Sequence, residues 1–179
     1  MPNQMSVKPI VEELGFYGAY HSNFENQLIH IVCVPMILWS ALLLVGKLSA
    51  SRLAPVLVVG TYGVYYISLD TQVGSIAALF YLAVWRSADA LLRANNKRIY
   101  LYAAVAQVVG WGLQIAVGHA HYEKRKPALF DSLVQAFSLA PLFVVYETVW
   151  LLFPGFQSEL KAQVHARVKE IQANFPIPQ

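Results

Sequence analysis

A chain of 179 residues that is 57% hydrophobic and only 13% charged carries about half the charge of an ordinary soluble domain, which is about 25% charged. That composition, with a mean hydropathy of +0.47, excludes a water-soluble globule and leaves one membrane-embedded domain over residues 1–179. The formal net charge of +3 comes without a long basic tract suited to nucleic acid, and a single cysteine, Cys33, excludes an intrachain disulfide.

The first residues, Met1 to Val11, contain Pro2 and Pro9 and no apolar signal core, so targeting is expected from the transmembrane helices themselves. The first apolar segment runs from Leu28 to Val45. Ser22 followed by Glu25 reads as a capping box that starts this helix at Ser22, with Asn26 as an alternative N-cap one turn later. The second segment, Leu53–Leu69, holds Gly60 and Gly63 and is short enough to need tilt or partner helices. The third, Val73–Leu92, carries Arg86 and Asp89 three residues apart, close enough to pair on one face.

The fourth segment, Ile99–Gly118, has Gln107 and Gln114 on one face. They line a cavity or bond neighbouring helices, and for Gln107 the second role is favoured. The fifth, Leu133–Phe153, contains Pro141 and Glu147, which leave open a crossing, a break or a re-entrant loop. Beyond Pro154-Gly155, Leu160, Val164, Val168 and Ile171 alternate with Lys161, Arg167 and Lys169. This pattern makes residues 157–172 an amphipathic basic helix, lying on the membrane surface or packed on the bundle. The expected fold is therefore all-α: a multi-pass transmembrane helical bundle of four to five apolar helices with an amphipathic C-terminal helix. The positive-inside rule gives opposite orientations for four and five crossings, because the basic tail changes sides.

Histidines stand at the ends of two of these segments. His21, Asn26 and His30 open the first, and His119-Ala-His121-Tyr-Glu123 follows the fourth. Four intervening spans bring residues 21 and 119 to the same side, whatever the fifth segment does. His21 and His30 are nine residues apart, about 900° of helical rotation, so they meet only if His21 lies in the turn before the helix. Asn26 and His30 are four apart and share a face, as do His119 and Glu123, while His121 points away. Imidazoles and a carboxylate suit iron, zinc, copper or nickel. The alternatives are scattered interfacial histidines bonded to water or headgroups, axial haem ligands, or a zinc hydrolase with Glu123 as base.

The two stretches that carry these residues, His21-Ser-Asn-Phe-Glu-Asn26-Gln-Leu-Ile-His30 through Pro35 and Gly110-Trp111 through Gly118-His119-Ala-His-Tyr-Glu123 to Pro127, resemble the fungal-type 2-hydroxy-fatty-acid dioxygenases of fatty-acid α-oxidation. Phe24 stands where that family often has proline, a departure that touches the turn after His21 and not a ligand. His121 falls where the family pattern is loose and takes no role. The resemblance implies an iron(II) enzyme of the endoplasmic reticulum membrane. Such an enzyme uses O2 to shorten a long-chain 2-hydroxy fatty acid by one carbon, as in phytosphingosine breakdown, without 2-oxoglutarate.

On this reading His21, His30 and His119 hold Fe(2+), and Glu123 is a further ligand or a partner that orients an imidazole. Asn26 and Gln114 stand beside the ligands, and the acyl chain lies among the apolar helices. Lys124, Arg125 and Lys126 attract the substrate carboxylate or form a solvated loop. The rival readings are another metal-dependent lipid hydroxylase or hydrolase, and a non-catalytic membrane carrier of lipid or metal.

Overall fold

The computed structural model describes residues 9–49, 51–130 and 132–174. Its helices are α1 (Pro9–Ala19), α2 (Phe24–Leu48), α3 (Leu53–Leu69), α4 (Thr71–Arg93), α5 (Ile99–Gly112), α6 (Leu133–Leu152) and α7 (Ser158–Asn174). A π-helix, Leu113–Glu123, continues α5 without a break, and a short 3₁₀ turn, Ala128–Phe130, precedes α6. The all-α expectation holds, with no strand among the described residues. Helices α2, α4 and the α5–π unit are 25, 23 and 25 residues long and apolar enough to cross a membrane. The 17 residues of α3 rise about 25 Å, which suits a tightly partnered span.

That partner is α4. Asp70 ends α3 and caps α4, its carboxylate accepting from the amides of Gln72 and Val73. Gly63 packs against Ala78, and a Cβ on Gly74 would enter the carbonyl group of Tyr66. Small residues permit this backbone approach where lipid supplies no hydrophobic drive between helices.

Four helices connected in alternating directions make α2–α5 the bundle. The first turns of α6 meet the middle of the bundle, where Phe137 faces Trp111 and its carbonyl accepts from Tyr62, and the last turn of α6 lies at the His21 end. The chain enters α6 nine residues after the π-helix, and just beyond it the Gln157 amide donates to Asp70 and Gln72 at 3.0 Å, at the α3–α4 turn. The fifth apolar segment is therefore one unbroken helix that does not cross to the far side. Pro141 leaves it continuous because tyrosines compensate. Proline lacks the N–H that would bond the carbonyl four residues back, and that carbonyl, on Phe137, accepts from the Tyr62 hydroxyl at 2.9 Å. Tyr66 and Tyr81 donate likewise to Ser138 and Pro141.

α1 was absent from the sequence reading, although Pro9 at its first position and the spacing of Ile10, Leu14 and Tyr17, all buried, announce it. It pairs with α7. Val164 is buried, Leu160, Val168 and Ile171 pack on the same core, and Arg167 meets Glu12 at 2.8 Å. The apolar stripe of the C-terminal helix is thus occupied by the bundle. With α1, α6 and α7 on one side, the described basic residues divide six and six between the two ends of the bundle. Among the described residues the His21 end holds eight acidic ones and the far end only Asp89.

Gly74→Ala is expected to destabilise the protein by about 1–3 kcal/mol, as overpacking does, because backbone must move. Gly60, whose added Cβ meets nothing within 4 Å, should accept alanine neutrally or with a small gain. Detergent or thermal unfolding of the two variants checks this, and equal behaviour would contradict the α3–α4 packing.

Candidate metal centre

The site forms where the turn after α1, the first turns of α2 and the π-helix meet. α2 begins one residue later than the capping-box reading requires. Asn23 is the N-cap, and its side chain accepts from the Asn26 amide at 3.1 Å. Phe24 then occupies the first helical position, where proline is also well accommodated, so its exchange leaves the turn intact. The partner expected in Glu25 is supplied from another helix. Glu123 Oε1 accepts from Ser22 N at 3.0 Å, and Oε2 accepts from Asn23 N at 2.9 Å and Asn26 Nδ2 at 3.1 Å. A carboxylate there satisfies otherwise unpaired amides and faces the positive end of the helix dipole.

Above this clamp, His21, His30 and His119, all at least 97% buried, offer ligand atoms within 4.8 Å of one another. Their ring centroids are 4.5, 4.9 and 5.1 Å apart. His21 lies in the turn before α2, as the nine-residue spacing requires. It stacks on Tyr17, ring centroids 4.3 Å apart, and donates Nδ1–H to the Tyr17 carbonyl at 2.8 Å. His30 donates Nδ1–H to the Asn26 carbonyl at 2.9 Å. These two bonds fix the tautomers, because a carbonyl only accepts.

The Nε2 atoms of His21 and His30 then face each other at 3.3 Å with lone pairs on both. A proton between them is disfavoured. Burial above all, and then the neighbouring imidazoles of His30 and His119, hold His21 well below its ordinary pKa of 6.5, against the opposing Tyr17 hydrogen bond. His119 adds a buried Nδ1 without a hydrogen-bond partner among the described residues. Converging imidazoles, those of His21 and His30 held by bonds at their outer nitrogens, suit a first-row metal ion. The donor set fits such an ion. Rings in edge contact leave no space for a porphyrin between axial imidazoles.

Where the fourth segment was read as ending at Gly118, the chain continues helical to Glu123 with i→i+5 bonding. This winding sets Gln114, Gly118 and His119 on the inner side, as wide turns often do at functional sites. It ends at Lys124 with φ 54°, and the amides of Lys124 and Arg125 both return to the His119 carbonyl. His121 is exposed, away from the cluster as expected. Arg125 donates to the Ala19 carbonyl at 3.1 Å and stands 3.9 Å from Glu123, so it braces the α1–α2 turn. Glu123, expected as a ligand or orienting partner, spends its oxygens on the α2 N-terminus, outside the group of converging ligand atoms. The sequence reading missed Tyr17, whose ring and carbonyl hold His21. The four-residue spacing between them was its signal.

A cavity of about 250 Å³ extends from the three histidines into the bundle, lined by Val34, Ile37 and Ala41 of α2, Val58 and Tyr62 of α3, and Ala140 of α6. From His30 to Ala41 it follows α2 for roughly 16 Å. Gln114, 5% exposed, is a polar wall residue near its head. Gln107 instead joins helices, as expected, donating to Ser40 Oγ at 2.8 Å and the Ile37 carbonyl at 3.1 Å. It also receives the Trp111 indole N–H at 2.8 Å. Trp111 and Phe137 meet edge-on across the side of the cavity, centroids 6.2 Å apart.

Three buried histidines that could hold a metal ion thus stand at the head of an apolar cavity, in a bundle whose helices are long and apolar enough to cross a membrane. The chain belongs to the Mpo1-like family of 2-hydroxy-palmitic acid dioxygenases, whose model matches residues 7–151. It is 34% identical over 166 residues to the 2-hydroxy-palmitic acid dioxygenase MPO1 of Saccharomyces cerevisiae, with 91% of each chain covered. No solved structure matches it.

Glu123→Gln is expected to weaken divalent-metal affinity about 10–100-fold, the usual effect of losing a residue that supports ligands. His119→Ala should abolish binding, and His121→Ala should leave it unchanged. Titration with cobalt(II), followed by its visible absorption, distinguishes the three. Equal losses for His121→Ala and His119→Ala would contradict the winding described.

Proposed function

We propose that this protein is an iron(II)-dependent dioxygenase that shortens long-chain 2-hydroxy fatty acids by one carbon with O2, the α-oxidation step of phytosphingosine breakdown. The observation that carries the reading is the junction of three buried imidazoles with an apolar cavity, in a chain whose 34% identical relative is named a 2-hydroxy-palmitic acid dioxygenase. His21, His30 and His119 would hold the iron. When bound, iron(II) supplies the redox chemistry by which O2 reacts with the 2-hydroxy acid, and a 2-hydroxy carboxylate offers it two oxygens.

The chain's own residues bind and orient. The cavity wall takes the acyl chain out of water, which favours binding by about 25 cal/mol per Å² of apolar surface covered. Gln114 provides a hydrogen-bonding side chain near the substrate's polar end. Tyr17 and the Asn26 carbonyl keep His21 and His30 with their Nε2 lone pairs inward. Glu123 and Asn26 are positioning residues that act through the α2 N-terminus, and Asn26 Oδ1 packs directly against Gly118. A hydrolase using Glu123 as base is disfavoured, because both its oxygens already accept hydrogen bonds. The family resemblance is our ground for assigning the protein to the endoplasmic reticulum membrane; the spanning helices support membrane residence only.

Purified protein supplied with iron(II) and O2 should convert 2-hydroxypalmitate to the acid one carbon shorter. It should reject palmitate by on the order of 10⁴-fold, the discrimination expected of a site built around a substrate hydroxyl. Chelation of iron, or alanine at His21, His30 or His119, should stop the conversion in folded protein. Equal binding of both acids with no O2 uptake by iron-loaded protein would replace the enzyme with a lipid carrier.

A further inference from the structure

At the end of the bundle opposite the histidines, three arginines surround one carboxylate. Asp89, on the last turns of α4, has a side chain 2% exposed. Arg52, just before α3, donates Nε and Nη2 to it at 3.1 Å. Arg93 donates Nε at 2.7 Å, and Arg86 Nη1 lies 3.7 Å away. One negative charge thus holds three positive ones, and the arginine side chains are 53%, 61% and 55% exposed. Nη1 of Arg52 and both terminal nitrogens of Arg93 keep unused N–H donors among the described residues. Lys47, Lys97 and Arg98 lie at the same end, which holds six basic residues against one acidic residue.

Guanidinium forks match phosphate oxygens in pairs, which an ammonium does not. Here the forks are held in place by a buried carboxylate, so ordering them costs little on binding. The surface beside them is apolar. Leu53 and Leu57 stand 61% and 60% exposed below Arg52 on one face of α3, and Leu82 stands 44% exposed one turn before Arg86. Arg86 lies over the Trp85 ring at 5.5 Å, and tryptophan is enriched at membrane interfaces. A ligand here meets phosphate donors at one level and bare leucine at the next.

We infer that the Arg52–Arg86–Arg93 array, positioned by Asp89, binds the phosphate headgroup of an anionic phospholipid whose tails lie along α3 and α4. The site is separate from the histidine cluster and independent of the reaction proposed for it.

Native mass spectrometry of the full chain in detergent micelles, with phosphatidylglycerol or phosphatidylcholine of matched tails, tests this. The native chain should retain phosphatidylglycerol roughly fivefold or more over phosphatidylcholine, the scale of one or two arginine contacts at a membrane surface. Asp89→Asn raises the positive charge yet should reduce that preference, because the forks lose their brace. If it fails to fold, Arg52→Lys with Arg93→Lys keeps the charge, removes the forks and should likewise reduce the preference. Lys47→Gln with Lys97→Gln removes two charges outside the array and should change it little. Undiminished retention by folded Asp89→Asn or by the double lysine variant would overturn the site. So would a loss as large in the Lys47/Lys97 variant, and displacement of the lipid by millimolar inorganic phosphate would overturn the assignment to a headgroup.

Discussion

The carboxylate of Glu123 is the contact on which the histidine site depends. It joins two stretches of chain about a hundred residues apart by three hydrogen bonds to the opening of α2. Its position fixes the depth of the π-helix against α2, and with it the meeting of His119 with His30. Buried and charged, it is stable there only because every partner is a donor and the helix dipole presents its positive end. Replacing those donors by water would reintroduce solvent beneath imidazoles that the fold keeps dry.

Around that contact the molecule has two unlike ends. One is built in depth, with α1, α6 and α7 layered over the histidines and acidic side chains outnumbering basic ones. The other is a thin rim of helix ends with almost all of its charge positive. A histidine cluster that is to hold a metal needs exclusion of water and fixed orientation, which a layer of helices supplies. A rim in contact with headgroups needs neither.

Much of this organisation was legible in the sequence. Hydropathy located the bundle helices, because lipid demands long apolar runs. Counting crossings joined His21 to His119, and the nine-residue interval put His21 in a turn. Gln107 was recognisable as a bridge, and Arg86 and Asp89 as neighbours. The course of α6 was not legible, because an apolar run buried among helices and one crossing lipid have the same composition. Nor was the α2 cap: Glu25 has the right local spacing, whereas Glu123 reaches the same amides through tertiary structure. The π-helix escaped because no residue pattern in this stretch distinguishes it from α; the close approach of Gly118 to Asn26 is visible only in the packed structure. Arg52, which reaches Asp89 from 37 residues away, was hidden for the same reason of distance along the chain.

The tyrosine that serves Pro141 ties two positions into a single evolutionary unit. An alanine at 141 would restore a backbone N–H to the Phe137 carbonyl, whose second lone pair could still accept from the Tyr62 hydroxyl. A phenylalanine at 62, with proline kept, would leave that carbonyl without its donor. Loss of the tyrosine first removes the carbonyl's donor, whereas loss of the proline first does not. Drift at these two sites should therefore be ordered, with the proline kept only where the tyrosine is kept.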